Sequence, residues 1–253
     1  MHTLVLAKKY FNIQNNLVEW KIPYNKSLYK LLGYNNKEII IENENIKLET
    51  DLDSFTTFFN TYKNVVFIED DLDLSISISQ EFDSEKERKM IGKMWYETKY
   101  KAEYSNIDFL SDVLIYTIRN LPIYNNSENV LCAVPISADN MSEYNFIDVI
   151  LKNTSKELKI TMLELKWLNK KEKVKYLKYD QKVNALKNSS LLIKGDLINK
   201  DCILFDDLYQ SGATINYVAS KLKEQGAKNV YGITLIKNPN NFDNNEFNKN
   251  RLS

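Results

Sequence analysis

Two adjacent aspartates, Asp206 and Asp207, end the apolar run that begins at Cys202, and Ser211, Gly212 and Thr214 follow them closely in the stretch CILFDDLYQSGAT. Carboxylates accept hydrogen bonds from sugar hydroxyls. A short turn of hydroxyls and glycine lets backbone N–H groups converge on an anion. A helical pattern begins directly after the turn. The first N–H groups of a helix have no partner inside it, and its dipole favours negative charge there. The chemistry this order supports is recognition of a sugar phosphate, with phosphate in the turn and ribose hydroxyls on the acids. Adjacent side chains of an extended segment point opposite ways, so one acid is expected to face the ribose and the other to brace the loop. Capping of the next helix is the plainer use of such acids, but it does not account for the hydroxyl-rich turn.

Together with the GAKNVYGITLIK stretch behind it, DDLYQSGAT resembles the signature of type I phosphoribosyltransferases, which use phosphoribosyl pyrophosphate (PRPP). It looks most like the ComF-like branch. The resemblance is sharp over Cys202–Lys237. It implies that Asp206 and Asp207 are catalytic residues holding the 2′- and 3′-hydroxyls, and that Leu208, Tyr209, Gln210, Ser211, Gly212, Ala213 and Thr214 wrap the 5′-phosphate. Val134–Ser137, VPIS, resembles the loop that grips pyrophosphate, which assigns Pro135, Ile136 and Ser137 to it. The Lys-rich run KKEKVKYLKYDQKVNALKN falls where the family has a flexible closing loop, with Lys178, Lys182 and Lys187 as candidates. A solvated helix face is the alternative for each of these lysines. MWYETKYK, Met94–Lys101, resembles the Lys-Tyr element that ComF-like proteins place ahead of their core.

The resemblance further implies Mg2+ as cofactor together with PRPP, with no residue directly assigned to the metal. The reaction would be pentosyl transfer or hydrolysis, with a nitrogen nucleophile or water arriving at C1′ as pyrophosphate leaves. Three features depart from the family. The N-terminal zinc module is missing. Gln210 stands where some members carry an acid that serves as base, and an amide takes up no proton. The residues after Ile136, SADNMSEYNF, contain no Lys or Arg, where relatives carry a basic stretch that would stabilise the leaving group. The alternative is therefore a catalytically silent PRPP- or nucleotide-binding regulator or effector. It would act in DNA uptake, nucleic-acid processing or defence, through a protein or nucleic-acid partner.

These residues need a scaffold, and the pattern predicts an α/β fold: a Rossmann-like parallel sheet of the type I phosphoribosyltransferase kind with an N-terminal β-rich accessory region. Residues 1–79 are expected to form the accessory module, with strands at Thr3–Ala7, Glu38–Ile41, Val65–Ile68 and around Leu74–Ile78, and a helix or loop at Leu52–Tyr62. This module is the expected surface for any protein partner. Residues 80–253 are expected to form the phosphoribosyltransferase-like domain. Ser84 and Glu87 read as a capping box ahead of a helix through Met90–Trp95, followed by a helix at Phe109–Asn120. Asn129–Ser137, Thr161–Leu165, Leu191–Ile193, Lys200–Phe205 and Val230–Ile236 read as strands, Phe146–Leu158 and Thr214–Gln225 as helices. Lys170–Asn188 reads as exposed and the tail from Asn238 as poorly ordered. Alternation of this kind places a ligand at the carboxyl ends of the strands.

Composition sets outer limits. A chain of 253 residues with 43% hydrophobic residues can bury a sizeable core. Lys plus Arg and Asp plus Glu both number 34, so net charge does not indicate nucleic-acid binding, although a local patch is left open. Cys132 and Cys202 lie in apolar runs and read as buried thiols, too few for a four-ligand zinc site. The only histidine is His2, which disfavours histidine-based catalysis. No apolar run approaches the ~20 residues of a membrane helix, and a cytoplasmic protein without membrane contact is expected.

Overall fold

The structure, a computed structural model, describes residues 2–34, 38–125, 129–136, 145–169 and 177–238. After β1 (Thr3–Val5), the chain builds a small antiparallel sheet from β2 (Phe11–Gln14) and β3 (Leu17–Pro23). Helix α1 (Lys26–Gly33) follows, and β4 (Ile40–Glu42) and β5 (Asn45–Asp51) complete the sheet in the order β2-β3-β5-β4. Along β3, buried Val18, Trp20 and Ile22 alternate with exposed Leu17, Glu19 and Lys21, the period of a half-covered sheet. Helix α2 (Leu52–Tyr62) covers that face. Its N-cap Asp51 accepts a hydrogen bond from Ser54 N at 2.8 Å, and Phe55 and Phe58 pack on Trp20.

The remaining elements are β6 (Val66–Ile68), β7 (Leu74–Gln80), α3 (Met90–Lys101), α4 (Ile107–Asn120), β8 (Asn129–Ala133), α5 (Phe146–Leu158), β9 (Thr161–Met162), β10 (Glu164–Trp167), α6 (Tyr179–Lys187), β11 (Leu191–Lys194), β12 (Asp201–Tyr209), α7 (Ala213–Glu224) and β13 (Asn229–Lys237). Among the described residues they form a seven-stranded sheet, β1-β6-β7-β13-β12-β8-β9. β7, β13, β12, β8 and β9 run parallel, and β6 and β1 extend the sheet antiparallel. The expected α/β architecture with a parallel-dominated sheet is thus observed. β12 explains why such strands read as unbroken apolar runs. Ile203 and Phe205 join the core with Leu110, Leu114 and Ile150, while Cys202 and Leu204 join Val218 and Leu222 on the other face.

Several expectations need correction. The division at residue 79 does not separate two sheets. β1, β6 and β7 belong to the main sheet, because the alternating Leu74–Ile78 segment pairs along β13. Ser84 and Glu87 form no capping box: α3 starts at Met90, and the Asp83 carboxylate instead takes the N–H groups of Glu85 and Glu87, a local turn that competes with helix. The strand expected over Thr161–Leu165 splits, since β10 leaves the main sheet to pair antiparallel with β11. β12 does not stop at Phe205 but continues to Tyr209, so both acids sit inside the strand. The lysine-rich segment is not uniformly exposed, because Lys182 is 3% exposed. Ser137, 170–176 and the tail from 239 lie outside the described residues. No helix among the described residues is long and apolar enough to cross a membrane.

Helix α3 docks on the end of β7 through Gly92. A Cβ there would stand 2.6 Å from the Glu81 carbonyl oxygen. Alanine gains up to ~1 kcal/mol of helix propensity, but overpacking against a backbone atom costs ~1–3 kcal/mol. Gly92→Ala is expected to lower the denaturant midpoint; an unchanged or raised midpoint would show that α3 is not seated this way.

Candidate functional site

The end of β12, the turn after it and the start of α7 enclose a cavity of about 170 Å3 lined by Asp206–Ile215 together with Lys99, Lys182 and Thr234. That volume is near the ~150 Å3 that takes up a benzene ring, so it suits one small ring. Gly212 makes the turn. Its φ of +78° lies in the left-handed region, where a side chain would be strained. Asn216 braces the turn from inside α7: its Nδ2 donates to Gly212 O at 2.8 Å, and its Oδ1 accepts from Asp71 N at 3.0 Å. α7 begins without a side-chain cap on Gly212, so its dipole faces the cavity uncovered by an acid.

The two acids have different surroundings. Asp207 is 5% exposed and turned toward α3, where its Oδ2 accepts from Trp95 Nε1 and from Lys99 Nζ, both at 2.6 Å. Trp95 and Lys99 are four residues apart, so one helix face delivers both donors. Burial opposes ionisation of Asp207, but the Lys99 charge and the two donors outweigh it and hold the carboxyl below its usual range. Lys99 gains correspondingly: burial lowers its pKa, Asp207 raises it more, and the net direction is up. Asp206 is half-buried, opens on the cavity and accepts from Asp207 N at 2.9 Å. Burial first, and then the neighbouring Asp207 charge, push its pKa well above the usual value.

Tyr209 reaches from the turn into the core, where its hydroxyl donates to Asp70 Oδ2 at 3.0 Å and Leu72 N donates to Asp70 Oδ1. Burial raises the pKa of Asp70 to about 6. Lys237, at the end of β13, lies over the Tyr209 ring and donates to Asn238 O; burial lowers its pKa to about 8.

The structure therefore brings together Asp206, Asp207 and all of Leu208–Thr214, and it adds Lys182 from α6. It does not bring in the other candidates. Lys178, the N-cap of α6, and Lys187, at its end, are exposed. Pro135 and Ile136 line a separate cavity of about 910 Å3 beside α5, β9 and β10, which shares no lining residue with the first. Pro135 O accepts from Trp167 Nε1 at 2.7 Å, which ties the β10–β11 pair to this loop. Residues the pattern did not assign are Trp95, Lys99, Asp70 and Thr234. Trp95 and Lys99 both lie in the Met94–Lys101 segment, which carried a signal; Asp70 and Thr234 had none.

No family model matches the chain. Ribose-phosphate pyrophosphokinases from two Buchnera aphidicola subspecies, Acyrthosiphon pisum and Schizaphis graminum, are each 51% identical to it over 39 residues. The aligned stretch is 15% of this chain and spans only 12% of those relatives' length. Among solved structures, phosphoribosylpyrophosphate synthetase from Mycobacterium smegmatis overlaps with a TM-score of 0.30 and 18% identity, covering 50% of this chain and 33% of that one. A hypoxanthine-guanine phosphoribosyltransferase from Bacillus anthracis overlaps with a TM-score of 0.37 and 15% identity, covering 54% and 72%.

Two measurements check the electrostatics. Lys99→Met leaves Asp207 buried with the indole donor alone. Loss of one partner of a buried pair costs ~3–5 kcal/mol, and because Lys99 is about one-third exposed the expected loss is smaller, ~2 kcal/mol, read as a lowered unfolding midpoint at pH 7. Asp70 binds its proton more tightly folded than unfolded, so its contribution to stability is present at low pH and is lost as pH rises from ~4 through ~6. Asp70→Asn removes that dependence. The difference in melting temperature, variant minus wild type, is expected to climb across that window; a flat difference would contradict the raised pKa.

Proposed function

We propose that the chain binds PRPP or a related ribose 5-phosphate, including a nucleotide, at the cavity between β12 and α7. The observation that carries this reading is one cavity wall holding Asp206, Asp207 and the Gly212 turn at an uncapped helix start. In this reading the turn takes the 5′-phosphate on backbone N–H groups with the Ser211 and Thr214 hydroxyls. The ribose lies over the acids, and Lys99 and Lys182 supply positive charge to an anionic ligand. The short alignment with ribose-phosphate pyrophosphokinases, whose name points to the same ribose phosphate chemistry, supports the reading. So does the family-like order of motifs, ComF-like in wording. The cytoplasm is the compartment consistent with such a ligand.

The reaction class this ligand permits is pentosyl transfer or hydrolysis: the bond from C1′ to pyrophosphate breaks, and a nitrogen nucleophile or water bonds to C1′ and loses a proton. Asp206 would hold ribose and buffer charge as the ring becomes oxocarbenium-like. Gln210, an amide, would orient and not exchange a proton. The donor set bears on magnesium. Among the described residues there is no group of three or more His, Cys, Asp or Glu side chains suited to a metal, and Asp207 is taken up by Trp95 and Lys99. Such a set fits Mg2+ carried in on ligand oxygens, with Asp206 as the protein carboxylate, because this ion is commonly held by one or two carboxylates plus substrate phosphates. Bound there, it would neutralise charge on the leaving pyrophosphate.

A second reading is favoured by one observation: residues 137–144, following Ile136, carry no Lys or Arg. A catalytically silent PRPP- or nucleotide-binding regulator would keep the phosphate turn and dispense with stabilising the leaving group. Its partner surface would be the N-terminal sheet with α2. DNA uptake, nucleic-acid processing and defence are contexts that fit such a protein.

Titration calorimetry with PRPP and Mg2+ is expected to give saturable binding that Asp206→Asn abolishes; undiminished binding by the variant would end the site assignment. Pyrophosphate release with and without candidate bases then separates the readings. Release assigns an enzyme, and binding without release assigns the regulator.

A further inference from the structure

The Gly212 turn has little of its own to hold it. Glycine offers no side chain, α7 starts without a side-chain cap, and the Ser211 hydroxyl meets Ala213 N only at 3.5 Å. Backbone N–H groups converge on an anion only while such a turn keeps its shape, and ordering it at the moment of binding subtracts from affinity. The bracing comes from a distant part of the chain. Tyr209 leads into the turn and Asn216 follows it, and both are fastened to adjacent residues of the 69–73 loop. The Tyr209 hydroxyl donates to Asp70 Oδ2 and Asp71 N donates to Asn216 Oδ1, each at 3.0 Å. Asn216 Nδ2 passes the hold on to Gly212 O at 2.8 Å. Tyr209 and Asp70 are buried, so water competes little for their hydrogen bond. The loop is clamped in turn by the start of α1. Lys26 Nζ donates to Leu72 O at 2.7 Å and to Asp70 O at 3.3 Å. Ser27 Oγ donates to Ile68 O at 2.6 Å and accepts from Ser75 N at 2.9 Å, which draws the two ends of the loop together. Asp73 adds ion pairs to Lys30 of α1 and Lys223 of α7. Lys26 and Asp70 stand outside the cavity wall.

We propose that Asp70 and Lys26 are positioning residues for anion binding: the start of α1 sets the 69–73 loop, and the loop holds the Gly212 turn in its anion-receiving shape before a ligand arrives. This rests on the reading of that turn as the seat of a 5′-phosphate. Tyr209 then serves through its hydroxyl, as a strut turned into the core, and not as a contact to the ligand. The affinity of the cavity is set from α1, by residues that never meet what binds there.

The test pairs amide hydrogen exchange of the free full chain with calorimetry of PRPP and Mg2+, both run well below the melting temperature of each variant. Tyr209→Phe removes the hydroxyl and keeps the ring. Lys26→Met removes the ammonium and keeps most of the stem. Both are expected to speed exchange at the amides of Asp71 and Asn216, which the brace occupies, while the amides of β8 keep their wild-type rates. Both are also expected to weaken PRPP binding, Tyr209→Phe by about tenfold, because affinity falls with the fraction of molecules that hold the competent turn. A loss of global stability alone would leave both readouts at wild-type values at that temperature, and this result in either variant overturns the proposal. Faster exchange with undiminished affinity overturns it as well, since the brace would then serve no ligand. If wild type binds neither PRPP nor ribose 5-phosphate, the functional reading falls and the proposal with it; wild-type binding that both variants retain in full removes the proposal alone.

Discussion

A carboxylate buried beside a sheet has to be paired, and the pairing of Asp207 organises the functional end of this molecule. Its Oδ2 takes two donors, an indole and an ammonium, from a single face of α3. An unpaired charge in that position would cost several kcal/mol, so strand and helix are bound to keep company. The consequence reaches the next residue. With Asp207 held ionised by Lys99, the adjacent Asp206 sits beside a negative charge in a partly dry setting and holds its proton more tightly. Two acids that look alike in the chain thus become an anchor and an open acceptor.

The rest of the fold positions this arrangement. Parallel strands end together at one edge, where the chain must turn into helices and where backbone groups are left to bind something other than their neighbours. At β12 the turn is made by Gly212 and is held by contacts reaching back across the structure: Asn216 to Asp71, and Tyr209 to Asp70. Those two contacts link the turn to the 69–73 loop, which is itself tied to α1 by Lys26 and Lys30. The cavity is therefore supported from the N-terminal side of the molecule as well as from its own helix.

Much of this was legible in the chain. The run Cys202–Phe205, the acids, the glycine turn and the helix after it are local features, each decided by near neighbours, and the structure assembles them in one wall. Strand geometry alone predicted opposite orientations for the two acids, yet both line the one cavity and their carboxyls interact. Pairing between distant segments was not legible. The Leu74–Ile78 alternation announced a strand without saying that β13 would adopt it, and so its membership of the main sheet could not be read. Thr234 carries no signal of its own, because its place beside Asp206 is a matter of register. Lys182 was one of three closing-loop candidates in a lysine-rich run whose alternative was a solvated face, and the packing of α6 beside α7 buries it at the cavity. At Asp83 a turn won over the helix cap that Ser84 and Glu87 suggested, since its carboxylate satisfied two N–H groups at once.

The antiparallel flank made by β1, β6 and β7 bears on how this protein can be subdivided. β7 covers one side of β13 along most of its length. A fragment beginning at residue 80 would strip that cover and leave β13, an apolar strand, with a bare row of unpaired N–H and C=O groups. Such edges recruit other chains, and the fragment would be sticky and self-associating. The N-terminal third is thus a guard on solubility, and work on the cavity at the end of β12 calls for the intact polypeptide.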